Sequence, residues 1–280
     1  MKFFITLCLA LFTLFLVGKA QKKVICCGPT ATDKFAMNAS DRSFLLSHPN
    51  PLPFKYKSDH GHDITFKASD GTDAHGWEVK AKNKTDFYMF VFHEWWGLND
   101  YIKQESERLS NDLEINVIAI DLYDNQVAAT REDAGKFMQT VKTERATAII
   151  KGAYTKVGSD AKVFTIGWCF GGGWSLQAAI EGGKQVQGCI MYYGQPEKDV
   201  NRLKMLQCDV IGFFGKKDKW LNPQVVDEFK GNLQAAGKKC SIYEYDADHA
   251  FANPSNPVYD KDATADAYSK LLTFVKLRIR

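Results

Sequence analysis

The sequence lacks the features that mark several classes of protein. Its seven cysteines include no C-x-x-C pair, so no structural zinc module of the usual spacing is indicated. It has neither an internal repeat nor a low-complexity run, and a net charge of only +3 provides no basic surface for a nucleic acid or a membrane. The 280 residues, 45% of them hydrophobic, instead predict one globular domain with a large core.

A long hydrophobic run occurs only at the N-terminus. A basic start at Lys2 precedes an apolar run over residues 3–17 and then small residues that end at Ala20. This pattern predicts a secretory signal peptide, residues 1–20, cleaved just before Gln21. The alternative is a membrane anchor, but about 15 apolar residues fall short of the roughly 20 that a spanning helix needs. We therefore expect an exported protein, periplasmic or secreted, without stable membrane association after cleavage.

Residues 21–60 are rich in Pro, Ser, Asn and Asp and show no sustained hydrophobic period. We predict an extended N-terminal arm here, followed by the main domain at residues 61–280. Cys26 and Cys27 lie in the arm, and the sequence leaves open whether they form a disulfide. The apolar arm residues that we expect to pack on the main domain are Phe44, Leu45, Leu46 and Phe54.

Residue types that bind metals occur together at His60, His62 and Asp63. No further ligand types gather nearby in the sequence, so we interpret this segment as a solvated turn rather than a metal site. The chain contains no cofactor motif, and we expect neither a cofactor nor a metal.

Strands and helices alternate through the rest of the chain. A hairpin is predicted at residues 63–68 and 75–81, around the turn at 69–71. Further strands are predicted at residues 87–92, 116–121, 162–166, 188–193, 210–214 and 241–245. Helical patterns occupy residues 100–113, 132–157, 171–181, 223–236 and 264–277. This alternation predicts an α/β fold with a mostly parallel central sheet and helices on both faces.

The sharpest local motif is I-G-W-C-F-G-G-G at residues 166–173, between a predicted strand and a predicted helix. It has the glycine-x-nucleophile-x-glycine form of a nucleophile elbow, with Cys169 where serine is more usual. We expect the helix to begin at Gly171 and to direct its free N–H groups toward the sulfur, where they stabilise negative charge. The alternative is a glycine-rich turn with an inert buried cysteine.

Two later loops supply the partners that such a nucleophile needs. Asp218 follows the strand predicted at residues 210–214, and His249 follows the next predicted strand. Hydrolases with this elbow place the acid and then the histidine after the nucleophile in the chain. The alternatives are that Asp218 caps a helix and that His249 is a surface group.

These residues carry a resemblance to the dienelactone hydrolase (carboxymethylenebutenolidase) family, which covers residues 63–280 and leaves the arm outside. The matching segments are H-E-W-W-G-L-N at residues 93–99, D-L-Y at 121–123, G-W-C-F-G-G at 167–172, Y-Y-G at 192–194, Asp218, and H-A-F at 249–251. The resemblance implies an α/β-hydrolase fold and the hydrolysis of a small ester or lactone.

The resemblance also implies a role for each matching residue. Cys169 would be the nucleophile, His249 its base and Asp218 the residue that orients the histidine. Glu94 would contact the resting cysteine and swing away when substrate binds, which helps to form the thiolate. The backbone N–H groups of Trp95 and Phe170 would form the oxyanion hole.

The chain departs from the family at two arginines that bind a substrate carboxylate. These positions hold Asn125 and Asn253, which cannot form a bidentate ion pair, and only Arg131 offers a nearby cation in the sequence. Tryptophans flank several motif residues, so an uncharged or aromatic ester or lactone is expected rather than the anionic dienelactone; their alternative place is the core. The predicted substrate-binding residues are Asn125, Asn253, Tyr123, Tyr193, Trp96 and Trp220.

Two other functions are consistent with these residues. A thioesterase or a small peptidase would use the same triad, because the triad serves acyl transfer in general. A non-catalytic binding protein would keep the pocket for recognition, although it would be expected to lack at least one triad residue, and none is missing here.

Overall fold

The computed structural model describes residues 30–279. The predicted signal peptide, Cys26 and Cys27 lie outside this range. One sheet contains eight strands: β1 (Gly61–Lys67), β2 (Asp73–Val79), β3 (Phe87–Phe92), β4 (Asn116–Ile120), β5 (Lys162–Trp168), β6 (Val186–Tyr192), β7 (Val210–Gly215) and β8 (Cys240–Tyr245). Their order is β1-β2-β4-β3-β5-β6-β7-β8. The pairs β1–β2 and β2–β4 are antiparallel, and all the other neighbours are parallel.

The parallel strands are short and apolar because helices cover them. All five residues of β4 are buried, as are all six of β7. The helices are α1 (Ala31–Ala36), α2 (Arg42–Leu46), α3 (Asp100–Leu113), α4 (Arg131–Thr140), α5 (Thr143–Val157), α6 (Phe170–Gly182), α7 (Val200–Leu203), α8 (Pro223–Ala235) and α9 (Lys261–Lys276). The mostly parallel α/β sheet predicted from the sequence is confirmed.

Two differences from the predicted elements lie within the main domain. The helix predicted at residues 132–157 is interrupted, because α4 ends at Thr140 and Val141 has extended backbone angles of φ −66° and ψ 115°. The β-branched residues of the segment T-V-K-T at 140–143 favour such a break. The short α7 and the 3₁₀ turn at Gly183–Gln185 were not predicted, because each is too short to show a period.

The N-terminal arm differs more from the prediction. Residues 31–46 are not extended but form α1, a 3₁₀ turn at Met37–Ser40 and α2. Thr30 and Asp33 form a reciprocal capping box that begins α1, a signal that can be read from the sequence. Phe44 is fully buried, as expected, whereas Leu46 is 60% exposed.

The parallel topology brings four loops together. Because β3, β5, β7 and β8 run in the same direction, the residues that follow them all lie at the carboxyl edge of the sheet. Glu94 follows β3, Cys169 follows β5, Asp218 follows β7 and His249 follows β8. Among residues 30–279, no helix is long and apolar enough to cross a membrane.

Candidate active site

Cys169 lies at the sharp turn between β5 and α6. Its backbone angles are φ 54° and ψ −118°, a conformation that a non-glycine residue adopts only when its surroundings hold it there. The turn closes because Gly167 and Gly171 approach each other: a Cβ on Gly167 would lie 2.0 Å from the Gly171 carbonyl oxygen. The helix begins at Phe170, one residue earlier than predicted. The structure therefore contains the elbow that the motif predicted.

His249 and Asp218 form a continuous hydrogen-bonded chain with the cysteine. His249 Nε2 lies 3.3 Å from Cys169 Sγ, and His249 Nδ1 lies 2.6 Å from Asp218 Oδ2. The other carboxylate oxygen of Asp218 accepts hydrogen bonds of 2.9 Å from the N–H groups of Trp220 and Leu221. Asp218 is therefore held from both sides, and His249 is held with Nε2 toward the sulfur. All three side chains are buried.

The surroundings of this chain shift its protonation. Burial raises the pKa of the Cys169 thiol above its usual 9.0, and the imidazole of His249 opposes this rise. Burial alone would lower the pKa of His249, but the charges of Asp218 and Cys169 and their hydrogen bonds together raise that pKa well above 6.5. The arrangement therefore favours an imidazolium whenever negative charge forms at the sulfur or at a substrate oxygen.

Glu94 lies in the loop after β3, next to the elbow. Its Oε2 accepts a hydrogen bond of 2.5 Å from Asn253 Nδ2, and its Oε1 accepts one of 3.4 Å from the Tyr193 hydroxyl. Burial raises the pKa of Glu94 to about 7, although these two donors and His249 oppose the rise. In the described part of the chain Glu94 makes no hydrogen bond to Sγ of Cys169, in contrast to the resting contact that the resemblance implied.

One of the two predicted N–H donors belongs to the elbow, and the other lies in the loop after β3. Phe170 N–H lies at the start of α6, directly after Cys169, and it lowers the pKa of the thiol. Trp95 N–H finds no acceptor within residues 30–279. An N–H group at a helix start and a second free N–H are what an oxyanion hole requires.

The predicted substrate-binding residues separate into two groups. Asn253 and Tyr193 lie at the site, where both donate hydrogen bonds to the carboxylate of Glu94. The Tyr193 ring centroid is 5.1 Å from that of His249. Trp220 lines a cleft between the arm and the His249 loop. Trp96 is buried against Trp95, with ring centroids 5.0 Å apart.

Two of those predictions are not supported by the positions of the side chains. Tyr123 packs behind the elbow, against the rings of His93 and Phe170. The side chain of Asn125 is exposed and lines a separate cleft beside β1, so its position does not support the predicted substrate-binding role, which stays a prediction. The carboxylate of Asp121 accepts hydrogen bonds from Tyr123 N–H and Asn125 N–H, which closes a turn that directs Asn125 away from the site. At the start of α4, the backbone N–H of Arg131 donates a hydrogen bond to the side-chain oxygen of Asn50.

A cavity of about 110 Å³ leads from the surface to Glu94 and Asn253. Five aromatic residues line it, together with the polar residues Gln104, Glu105 and Thr264; the aromatic ones are Tyr101, Trp168, Tyr192, Tyr259 and Tyr268. Arg108 also lines it, but its charge is paired with Glu105 at 3.3 Å and Asp112 at 3.9 Å, and the guanidinium lies 3.5 Å from the Tyr268 ring centroid. Among the tryptophans that flank the motifs, Trp168 lines this cavity. Trp95 and Trp96 are buried and do not line it.

The arm contributes to the site one residue, His48, that was not predicted from the sequence. His48 follows α2, is only 4% exposed, and its ring centroid is 5.3 Å from that of His249 and 4.5 Å from that of Trp95. No sequence signal places His48 at the site, because the arm shows no sustained period and His48 belongs to none of the matching motifs. His48, Cys169 and His249 each offer a metal-binding atom within 4.8 Å of the others. The sequence cluster at His60 to Asp63 is not such a group among the described residues; His62 lies 3.7 Å from Glu78 instead.

An elbow at the carboxyl edge of a mostly parallel sheet, followed by an acid and a histidine in chain order, defines an α/β-hydrolase. Within that class, the model of the dienelactone hydrolase family matches residues 79–278, and the chain belongs to this family. It is therefore a carboxylic ester hydrolase. The matched range begins after the arm, so His48 lies outside it.

Individual relatives agree with this assignment. A protein of Saccharolobus solfataricus named putative carboxymethylenebutenolidase is 25% identical over 260 residues, covering 75% of this chain and 96% of its own. A carboxymethylenebutenolidase of Pseudomonas sp. is 30% identical over 118 residues, covering 42% of this chain and 48% of its own. A solved putative dienelactone hydrolase of Klebsiella pneumoniae has a TM-score of 0.66 and 21% identity, covering 77% of this chain and 99% of that one, and shows the same fold.

Proposed function

We propose that the chain hydrolyses an uncharged, aromatic ester or lactone through a covalent thioester on Cys169. The observation that carries this proposal is the hydrogen-bonded chain from Cys169 Sγ through His249 to Asp218 at the elbow. A buried thiol at an elbow, 3.3 Å from an imidazole whose other nitrogen is held by a carboxylate, is the arrangement that nucleophilic catalysis requires.

The first half of the reaction forms the thioester. The thiol proton moves to His249 Nε2, and the sulfur electron pair forms a bond to the substrate carbonyl carbon while the carbonyl π electrons move to oxygen. The N–H groups of Phe170 and Trp95 hold this oxyanion. When the carbonyl forms again, the bond to the leaving oxygen breaks, and that oxygen takes the proton from His249.

The second half releases the acid. Water gives a proton to His249 Nε2 and its oxygen adds to the thioester carbon, which again places negative charge on the oxygen in the oxyanion hole. Collapse breaks the C–S bond, the product leaves as an acid, and the sulfur recovers its proton from His249. Asp218 stabilises the imidazolium in both halves without accepting a proton itself.

Glu94 assists this cycle in our proposal. Its pKa of about 7 means that it exchanges a proton easily near neutral pH, so it can share the thiol proton when substrate displaces its present partners. Asn253, which stands where family members have an arginine, has a different task here. It donates to Glu94 and so positions the carboxyl beside the nucleophile.

The substrate class follows from the cavity that leads to Glu94. Five aromatic residues line it, and its one arginine is paired with two carboxylates, so this lining offers no free cation to bind a substrate carboxylate. An aromatic or uncharged acyl group stacks on such a wall with offset or edge-to-face contacts. A thioester or an amide would meet the same groups, and a rate comparison among ester, thioester and amide of one acyl group separates these reactions.

The test uses mass spectrometry and matched lactones. Incubation with neutral aryl lactones, followed by acid quenching, should add one acyl mass to the peptide that contains Cys169. A neutral lactone should then give a higher kcat/KM than the same ring carrying a carboxylate. An adduct on another residue would remove the cysteine mechanism, and a preference for the anionic lactone would remove the substrate class.

We also propose that the protein is exported, on the strength of its first twenty residues. Edman sequencing of the mature protein recovered from the medium or periplasm should begin at Gln21. A mature protein that still begins at Met1 would contradict cleavage.

A further inference from the structure

His48 has one unpartnered ring nitrogen, buried beside His249. Its Nδ1 lies 2.7 Å from the carbonyl oxygen of Phe44, to which it must donate, and 3.0 Å from the Ser47 hydroxyl. The proton is therefore on Nδ1, and Nε2 carries a lone pair. Nε2 is buried and has no hydrogen-bond partner within the described residues. A buried acceptor without a donor is costly, so the position calls for a ligand.

The three atoms have nearly the spacing of a metal site. Sγ of Cys169 and a ring nitrogen each of His48 and His249 lie within 4.8 Å of one another, and the Sγ–Nε2 distance to His249 is 3.3 Å. Tetrahedral zinc with bonds of about 2.3 Å to sulfur and about 2.0 Å to nitrogen separates its ligand atoms by roughly 3.3–3.6 Å. The pair of Cys169 Sγ and His249 Nε2 already fits, and atoms that lie up to 4.8 Å apart would close to this spacing when the metal binds.

Both imidazoles are also oriented as metal-binding histidines are. A ligating histidine donates its other N–H to a carboxylate or a carbonyl, which fixes the ring and makes it a better ligand. His249 has Asp218 at that nitrogen and His48 has the Phe44 carbonyl.

We propose that His48, Cys169 and His249 bind Zn²⁺ or another divalent cation that favours sulfur and nitrogen, and that this cation reversibly blocks the enzyme. Binding releases to solvent the protons held at Cys169 Sγ and His249 Nε2, and it leaves the fourth position for water. The metal then holds both the sulfur and the Nε2 of His249, so neither is free for acyl transfer. The block rests on the function proposed above; the binding rests on the geometry alone.

The arm determines whether this site exists. His48 is the only one of the three ligands outside residues 79–278, the range of the family match. Without it, the nucleophile and its base offer two ligands, which is too few for a tight zinc site. Control by this cation therefore belongs to the arm rather than to the hydrolase domain that carries the chemistry.

Calorimetric titration of the metal-free full chain with Zn²⁺ provides the test. His48→Asn keeps a nitrogen near the place of Nδ1, so the hydrogen bond to Phe44 is retained while Nε2 is removed. We expect at least about a tenfold loss of zinc affinity, since even the loss of a ligand's hydrogen-bond partner costs about 10–100-fold. His62→Gln, at an exposed histidine, should leave the affinity unchanged.

Cobalt and activity measurements complete the design. Co²⁺ in the wild type should give a thiolate charge-transfer band that Cys169→Ser removes, and Zn²⁺ should inhibit ester hydrolysis until a chelator is added. Equal zinc affinity in the wild type and His48→Asn, or activation by Zn²⁺, would overturn the proposal. Binding that depends on His48 in a protein that cleaves no ester would sustain the site and refute the function.

A measurement on the wild type covers the case in which His48→Asn does not fold. X-ray absorption at the zinc edge should show one sulfur at about 2.3 Å and two imidazole nitrogens at about 2.0 Å. A spectrum with no sulfur, or with a single imidazole, would overturn the proposed site.

Discussion

Two regions meet at Cys169, and they are built from different interactions. The loops at the carboxyl edge of the sheet bring ionisable groups, each held by directed hydrogen bonds, as Asp218 is by Trp220 and Leu221. The arm at residues 30–48 brings aromatic rings: Phe44 is fully buried and its centroid is 5.5 Å from that of Trp95. The sheet therefore provides the chemistry, and the arm provides the wall that excludes water from it.

Removal of the nucleophilic thiol should have the largest effect on activity and almost none on the stability of the fold. Cys169→Ala should lower kcat/KM for a neutral aryl ester by at least about a thousandfold, because no other group can form the thioester. The melting temperature should change little, because the Cys169 side chain makes one polar contact, with His249, and alanine fits in the same space. Cys169→Ser should also leave little activity, because the site is suited to a thiolate.

Cys240→Ala, at a half-buried cysteine on β8, is the matched control and should keep full activity. The rates are measured by stopped assays at equal protein concentration. Undiminished turnover by Cys169→Ala would show that the chemistry of the site does not depend on the elbow.

Phe44→Ala tests the arm. The ring is fully buried among Trp95, Trp220 and His48, so its removal should lower the free energy of unfolding by about 3–5 kcal/mol. Alkylation of Cys169 by iodoacetamide should become faster, since the wall over the site loosens. Urea unfolding and the alkylation rate at fixed pH measure the two effects.

Leu46→Ala is the control on the same helix. Leu46 is 60% exposed, so this change should alter the free energy of unfolding by no more than about 0.5 kcal/mol. Similar effects of Phe44→Ala and Leu46→Ala would mean that the arm does not pack on the site in solution.

The same contrast explains what the sequence could predict. The elbow, Asp218 and His249 could be placed together because parallel topology and chain order require it, without knowledge of any side-chain contact. Asn125 could not be placed, since the turn that directs it outward depends on which N–H groups Asp121 binds. His48 could not be found, because only the packing of Phe35 and Phe44 brings a segment without a period over the nucleophile.

Glu94→Gln should reveal the ionisable character of the sheet edge through pH. Burial raises the pKa of Glu94 from 4.5 to about 7, so between these values the folded protein binds more protons than the unfolded one. The stability that Glu94 gives is thus present below pH 4.5 and is lost as pH rises through 7. Glutamine cannot ionise and keeps an acceptor for Asn253, so the variant should gain stability relative to the wild type across this window. The difference should reach a few kcal/mol at most, about 1.4 for each pH unit of the shift.

Urea titrations at pH 5, 6, 7 and 8 measure this difference, and Glu132→Gln, at the exposed start of α4, provides the control. The arm offers no counterpart at Phe44, whose contribution should be the same at each of these pH values because apolar burial carries no proton. A Glu94→Gln difference that stays constant with pH would place the Glu94 carboxyl in contact with water. The contribution of Glu94 to the free energy of unfolding would then be as independent of pH as that of Phe44. The proton exchange assigned to Glu94 would lose its physical basis.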